Sequence, residues 1–279
     1  MQTGRNSKKG NDHAVSEMIG FVIIFGIIIA GIGLVTLYGY PMLLQQQSSS
    51  NEQIMEKNMI VLQNDLKSLA YKTVPYSETS LNVGGGALTV YNTTYDTADS
   101  SKFLIFGENG NPLTCSIKNN NGNCAISSAP LTFYPGDLRY DSTSAQTGLS
   151  LENGAVVKRM LAENGSAMLA QPRWFYDGPT NTAVIYLIGF NTTTDIMAQT
   201  GVGTVKMDLG LTNYTSYNTA GDTIHIEYTP NINADYSTAW DNYFTGTLGM
   251  SPDGEGGYYF VQMPSTLIIY TYEVEIESV

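Results

Sequence analysis

Residues 14–31 are AVSEMIGFVIIFGIIIAG, and in this stretch a single carboxylate, Glu17, stands directly before a long apolar run. No charged side chain follows between Met18 and Asn51. About 20 apolar residues are enough for a helix to cross the hydrocarbon core of a membrane, where a helix satisfies its own backbone hydrogen bonds. The stretch therefore predicts a membrane-spanning helix.

A cleaved secretory signal fits the same residues less well. The apolar core of such a signal is shorter and ends in small residues before the cleavage site, whereas this run ends in Tyr38-Gly39-Tyr40-Pro41. Upstream of the run, Arg5, Lys8 and Lys9 form a short basic patch. Basic residues beside a span stay in the cytoplasm. We therefore expect a retained helix with a cytoplasmic N-terminus and the bulk of the chain outside.

A short polar leader, then Val15-Ser16-Glu17-Met18-Ile19-Gly20, then an unbroken apolar helix resembles the N-terminus of archaeal type IV pilin-like proteins. The resemblance covers residues 11–41. In that family a membrane leader peptidase removes a class III signal peptide on the cytoplasmic side of the apolar segment, so the helix is kept. The resemblance implies a cut at the Ala14–Val15 bond, although His13 stands where the family usually has a charged residue.

Ser16 and Glu17 mark the predicted start of the helix. Ser16 is a favourable N-cap residue, which places Glu17 in the first turn, where the helix dipole favours a carboxylate by about 0.3–1 kcal/mol. The resemblance implies a second, compatible role: in pilins an acid near the mature N-terminus neutralises the terminal amine of a neighbouring subunit during assembly. Counted from Val15, Glu17 is the third residue, whereas bacterial pilins place this acid fifth.

Four glycines interrupt the apolar run, at Gly20, Gly26, Gly31 and Gly33. Glycine lowers helix stability in water, but in membranes small residues let two helices approach closely. A single anchor gains nothing obvious from four glycines. They therefore favour packing between copies of this helix.

A second helical pattern follows the apolar run. Pro41, together with Gly39, predicts a kink or a short interruption, because proline lacks a backbone donor and clashes with the preceding turn. Beyond it, apolar residues recur at spacings of three and four, which predicts an amphipathic helix. These residues are Met55, Met59, Leu62, Leu66 and Leu69.

From Pro75 onward the pattern changes to a period of two with glycine and asparagine turns. Val205, Met207 and Leu209, for example, alternate with polar residues, as half-buried antiparallel strands do. Residues 81–91 predict a hairpin around three glycines, residues 234–244 predict a helix, and the acidic C-terminal strand is expected at a sheet edge.

The fold class predicted from these patterns is α+β. A long N-terminal hydrophobic helix, kinked near Pro41, precedes a mainly antiparallel head that resembles a β-sandwich. The predicted organisation is a cleaved leader (1–14), a transmembrane and filament-core helix (15–40), an amphipathic extension (41–72) and an extracellular β-rich head (73–279).

Composition limits the possible partners. The formal net charge is −12, and 19 tyrosines outnumber the 13 lysines and arginines. Nucleic acid is not expected as a partner, because phosphate binding needs clustered cations. The two cysteines, Cys115 and Cys124, flank a turn-forming run of asparagine and glycine, so they form either a disulfide, in an oxidising compartment, or two free thiols.

Asn-Xaa-Ser/Thr triplets begin at four asparagines and are possible N-glycosylation sites. They are Asn92, Asn164, Asn191 and Asn213.

Patterns typical of catalysis are missing from the sequence. His225 is expected to face outward on a strand, residues 253–257 predict a turn rather than a calcium loop, and residues 174–176 predict core packing rather than a sugar platform. We therefore expect no enzyme activity, no catalytic or metal-binding residues and no cofactor.

The leading functional hypothesis is a structural subunit of an archaeal type IV pilus-like surface filament. Its partners would be other copies of itself, membrane lipid before assembly and the leader peptidase. The alternative is a singly anchored or minor pilin-like adhesin whose head binds surface glycans. Both hypotheses place the chain in the cell membrane and at the cell surface.

Overall fold

The computed structural model describes residues 12–72, 74–92, 100–107, 113, 115–117, 130–162, 165–194, 197–219 and 222–279, with the backbone alone in 12–16 and 115–117. The chain divides into two compact units, Met1–Ser49 and Ser50–Val279. The predicted boundary at residue 72/73 therefore lies inside the second unit, because residues 50–72 pack into its core.

The first unit is helical throughout its described residues. Helix α1 (Asp12–Leu34) is followed by a π-helical turn (Val35–Gly39) and by the start of α2 (Tyr40–Lys72). In this turn the amide of Tyr40 donates to the carbonyl of Val35, five residues back. The predicted interruption near Gly39 and Pro41 is this wide turn, which accommodates the proline at the second position of α2.

Helix α1 begins four residues before the predicted N-cap, Ser16, so that prediction is wrong for the full-length chain. No helix breaker separates Asp12 from Glu17, and an acid at the first position complements the helix dipole.

The second unit carries the strands. Their bounds are β1 (Tyr76–Tyr91), β2 (Lys102–Phe106), β3 (Cys115–Ile117), β4 (Leu131–Phe133), β5 (Asp137–Ser142), β6 (Thr147–Glu152), β7 (Ala155–Met160), β8 (Ser166–Ala170), β9 (Phe175–Asp177), β10 (Thr182–Thr192), β11 (Met197–Asn218), β12 (His225–Thr229), β13 (Met250–Pro252), β14 (Gly257–Phe260) and β15 (Thr266–Ser278). A short helix, α3 (Ser237–Asn242), and a π-helical turn (Tyr243–Thr247) confirm the helix predicted at 234–244.

The strands form two sheets. The large sheet has the order β8-β7-β6-β5-β1-β11-β15-β10-β9, with β3 paired to β11, and the small sheet has the order β13-β14-β12-β2-β4. All pairs are antiparallel except β10 with β15. The predicted α+β class with a mainly antiparallel β-rich part is confirmed. The predicted edge position of the C-terminal strand is wrong, since β15 lies between β11 and β10.

One face of the large sheet packs on α2. The predicted stripe of Met55, Met59, Leu62, Leu66 and Leu69 is fully buried there, which confirms the amphipathic helix. The opposite face packs on the small sheet and α3, and this second core contains both tryptophans of the chain.

The large sheet curves strongly around α2. The amide of Ile188 on β10 donates to Asn153 Oδ1 in the β6–β7 turn, and the amide of Phe190 donates to the carbonyl of Pro135 before β5, both at 2.8 Å. These partners belong to the other end of the strand order. The outer edge of β10 is therefore covered by the sheet's own distant turns, which hides backbone groups that an open edge exposes.

Residues 81–91 do not form the predicted hairpin. They belong to the single strand β1, whose pairing with β11 shifts register between Val83 and Leu88. A Cβ on Gly86 would lie 2.5 Å from the carbonyl oxygen of Asp141 and 2.6 Å from the ring of Tyr140. The glycines therefore mark a bulge with close backbone approach, which is the other common reason for glycine in a strand.

We expect Gly86→Ala to lower the free energy of unfolding by about 3 kcal/mol, because the new methyl overlaps a backbone atom that cannot move alone. Urea unfolding of the full chain in detergent, followed by tryptophan fluorescence, measures this change. Gly165→Ala is the matched control, since a Cβ there meets nothing within 4 Å. Equal unfolding midpoints for the two variants would contradict this packing.

Candidate functional site

The helical residues 18–44 carry apolar side chains on every side. Their large apolar side chains are exposed around the whole helix, for example Met18 (73%), Ile27 (66%) and Leu37 (68%). A soluble surface helix shows an apolar stripe on one side only. This helix is therefore built for surroundings that are apolar all round.

Among the described residues, one helix near the N-terminus is long and apolar enough to cross a membrane. This finding is compatible with the membrane anchoring predicted for residues 15–40. The structure places Ala14 and Val15 in the first turns of α1, and the predicted leader residues 1–11 lie outside the described residues.

The four predicted packing glycines have no steric partner among the described residues. A Cβ added at Gly20, Gly26, Gly31 or Gly33 meets nothing within 4 Å. No contact in the described part of the chain therefore requires glycine here, although each one weakens a helix by about 1 kcal/mol relative to alanine.

Helix geometry arranges two of these glycines on one face. Gly26, Ala30 and Gly33 are spaced by four and three residues and therefore share a face of α1, which we call the small-residue face. Small residues four apart are the common pattern of close helix–helix contacts in membranes. Gly20 and Gly31 are eleven residues, about three turns, apart and share a different face.

Glu17 lies in the second turn of α1 and is exposed. The side chain of Ser16 lies outside the described residues. With the helix extending back to Asp12, Glu17 lies beyond the first turn, where the helix dipole favours a carboxylate most.

The predicted glycosylation sites differ in access. Asn92 is 4% exposed, and its Nδ2 donates to Asn191 Oδ1 at 2.8 Å and to Thr192 Oγ1 at 3.0 Å. Asn191 is half-buried and donates to Glu273 Oε1 at 2.8 Å. Asn213 is exposed on β11, and Asn164 lies outside the described residues. Of the described sites, Asn213 is therefore the most accessible to a glycan.

The predicted disulfide stays a prediction. Cys124 and the side chain of Cys115 lie outside the described residues.

A buried carboxylate that the sequence did not reveal joins the two sheets. Glu152 at the end of β6 is 1% exposed and accepts hydrogen bonds from Ser101 Oγ, from Tyr228 Oη at 3.1 Å and from Trp240 Nε1 at 3.0 Å. Tyr228 belongs to the small sheet and Trp240 to α3. One side chain therefore connects three layers of the second core.

A second buried acid lies directly across from Glu152 in the sheet. Asp137 on β5 is the register partner of Glu152 and forms an ion pair with Arg139 at 2.9 Å. Burial, followed by the charge of Asp137, raises the pKa of Glu152 to about 7, against the effect of its three donors. The pair is enclosed by the packed layers, so we assign it a structural role.

Other candidate residues have structural partners. His225 is not simply solvated as predicted, since its ring stacks on Phe106 with centroids 5.3 Å apart and its Nδ1 lies 3.3 Å from Asp253 Oδ2. Asp253 Oδ1 accepts the amides of Glu255 and Gly257, which confirms the predicted turn. Of the segment 174–176, Trp174 is buried in the second core, as predicted, whereas Phe175 is 39% exposed. Within the described ranges, no group of three or more His, Cys, Asp or Glu residues is arranged to hold a metal ion.

The architecture defines a class: an α+β protein in which a long apolar N-terminal helix precedes a β-rich domain of two sheets. A model of the family of unknown function DUF7289 matches residues 13–277, and the chain therefore belongs to that family. No curated protein and no solved structure matches the chain.

Proposed function

We propose that the protein is a pilin-like structural subunit that polymerises through its N-terminal helix into an archaeal type IV pilus-like surface filament. The observation that carries the proposal is the apolar helix with a small-residue face that no contact among the described residues requires. An isolated span needs only apolar side chains. Small residues spaced three and four apart on one helix face are useful where a neighbouring helix packs closely against that face.

The proposal assigns the helix two successive environments. Before assembly, lipid surrounds residues 15–40, with Arg5, Lys8 and Lys9 on the cytoplasmic side. A leader peptidase then cuts at the Ala14–Val15 bond, and the retained helix leaves the lipid for a bundle of identical helices. Both environments bury the same apolar side chains, so the transfer exchanges lipid contacts for helix contacts.

Glu17 takes its proposed role in the bundle. After cleavage it is the third residue of the chain, close to the new terminal amine. A carboxylate and an ammonium group of two neighbouring subunits neutralise each other in a medium of low dielectric constant, where an unpaired charge is costly.

The β-rich unit forms the outward part of the proposed filament. Asn213 offers an exposed amide for a glycan. A role in binding surface glycans remains the alternative proposal, and low copy number on cells would favour it over a filament.

Isolation of surface fibres and sequencing of their subunit tests the proposal. We expect fibres made of this chain with an N-terminus at Val15. A chain that is found only as a monomer in washed membranes, with Met1 intact, would refute both the processing and the assembly. A Val15 terminus on a chain that never enters fibres would refute assembly alone.

A further inference from the structure

A tyrosine-rich part of the large sheet lies beyond the end of α2. Tyr186 on β10, Tyr270 on β15 and Tyr214 on β11 are direct register partners across three adjacent strands. They lie on the face that α2 covers further along, and all three are half-buried. Helix α2 stops at Lys72, so within the described residues no helix lies above this part of the face.

The aromatic groups here form one connected cluster. The rings of Tyr186 and Tyr270 stack with centroids 4.9 Å apart, and Tyr214 follows 6.0 Å from Tyr270. Tyr71, in the last turn of α2, contacts Tyr186 edge-on at 5.0 Å. The exposed guanidinium of Arg173 lies 4.8 Å from the ring centre of Tyr71 and 5.1 Å from that of Tyr186. We call these five residues the tyrosine face.

The charge around the tyrosine face is positive. Lys67 and Lys72 lie on α2 beside Tyr71, and in the described part of the chain neither they nor Arg173 forms an ion pair. The next cross-strand row on the same face, Val184, Ile268 and Ser216, is uncharged. In a chain of net charge −12, this is a local excess of cations.

The hydroxyl of Tyr186 is a hydrogen-bond donor at neutral pH. Burial raises the pKa of Tyr186 above its ordinary value, ahead of the opposing effect of Arg173. Tyrosine and arginine are also the residues most enriched at the energetic centres of protein interfaces, because they bury a large area and keep polar groups at their tips.

The opposite face of the same sheet carries a complementary surface. Carboxylates project outward from β1, β11 and β15 on the side away from α2, and Lys206 is the one cation on these strands' outward positions. They are Glu78, Asp208, Glu273, Glu275 and Glu277. We call this set the acidic face.

We propose that the tyrosine face of one copy docks on the acidic face of a neighbouring copy. The two faces lie on opposite sides of one sheet, so a single copy cannot join them. Unlike surfaces on opposite sides of a subunit give a head-to-tail contact, which produces a ring or an open chain rather than a closed two-fold dimer. The inference rests on the proposed function, which supplies neighbouring copies.

Complementary charge is the reason for choosing a second copy as the occupant. Arg173, Lys67 and Lys72 meet carboxylates that are otherwise close to one another and repel, and the tyrosine hydroxyls donate to the remaining oxygens. Contact between two acidic faces is disfavoured by the same repulsion, which fixes the head-to-tail orientation.

The test is photo-crosslinking of the full-length chain in cells. A photoreactive phenylalanine analogue replaces Tyr214, and two isotope-labelled pools of the chain distinguish contacts between copies from contacts within one copy. We expect a crosslink between copies that maps to residues 271–279 or 206–208. The Arg173→Glu substitution should lower the crosslink yield about tenfold. Lys57→Glu makes an equal charge change at an exposed position on α2, outside the tyrosine face, and should leave the crosslink yield unchanged.

Charge exchange completes the test. Glu275→Arg combined with Arg173→Glu should restore the crosslink, because the pair is re-formed with reversed signs. Fibres that form normally while the crosslink is absent, or maps to another protein or a glycan, would overturn the inference and leave the proposed function standing. A crosslink between membrane-bound copies without any fibres would support the contact and count against the filament.

Discussion

Leucine in place of Gly33 is expected to reduce the yield of surface fibres about tenfold or more, with the amount of chain in the membrane unchanged. A Cβ at this position meets nothing within 4 Å in the described part of the chain, and leucine favours both helix formation and membrane insertion. It does, however, separate helices that pack on the small-residue face of Gly26, Ala30 and Gly33. Close packing of small residues drives helix association in membranes, and a filament repeats the loss of this packing in every subunit.

The matched control adds bulk on the opposite side of the helix. Ile28→Phe lies away from the small-residue face, at a position that is already large and exposed. Fibre yield from sheared cells, normalised to the chain in membranes, compares the two variants. Normal fibres from Gly33→Leu, or equal loss in both variants, would show that this face is not the packing surface.

Replacing Glu152 by leucine is expected to lower the free energy of unfolding by about 3–5 kcal/mol. Three buried donors, the hydroxyls of Ser101 and Tyr228 and the indole N–H of Trp240, lose their acceptor. Each unsatisfied buried polar group costs about 1–3 kcal/mol. Arg139 keeps Asp137 as its partner, so the loss is confined to the three donors.

Urea unfolding followed by tryptophan fluorescence measures this loss directly, because both tryptophans of the chain lie in the second core. Glu255→Leu, at an exposed turn position, is the control and should have little effect. An unfolding midpoint for Glu152→Leu equal to that of the control would mean that Glu152 does not hold the layers together.

The same carboxylate should make stability depend on pH. The folded-state pKa of Glu152 is raised from 4.5 to about 7, so the folded state holds a proton that the unfolded state releases. The contribution is fully present below pH 4.5 and is lost as the pH rises toward 7, at up to about 1.4 kcal/mol per pH unit. Glu152→Gln should remove this slope, whatever its own stability. The measurement is the free energy of unfolding as a function of pH. If it changes equally for Glu152→Gln and the unchanged protein between pH 4.5 and 7, the raised pKa of Glu152 is contradicted.

Local patterns predicted the helical part of the protein well. The apolar run from Met18 onward and the stripe from Met55 to Leu69 are properties of consecutive residues on one helix, where spacing alone decides which side is apolar. The interruption before Pro41 follows equally from local chemistry, since proline cannot donate to the preceding turn.

Patterns of period two predicted strands but not their positions. Val205 and Met207 are buried as alternation requires, yet the acidic side chains of β15 suggested an edge position for that strand. That strand is central, because its neighbours β10 and β11 come from distant parts of the chain. The three glycines at 84–86 look the same in sequence whether they turn a hairpin or admit a neighbouring backbone.

The sequence by itself determined the long apolar helix, the amphipathic continuation and the succession of strands, because each depends on side chains a few residues apart. Only the tertiary structure decided that Glu152 is buried, that Asn92 is closed to a glycan while Asn213 is open, and that the tyrosine and acidic faces lie on opposite sides of one sheet. Glu152 and Asn92 are polar residues in strand-like surroundings. The residues that cover them lie far away along the chain, and local sequence spacing cannot identify them.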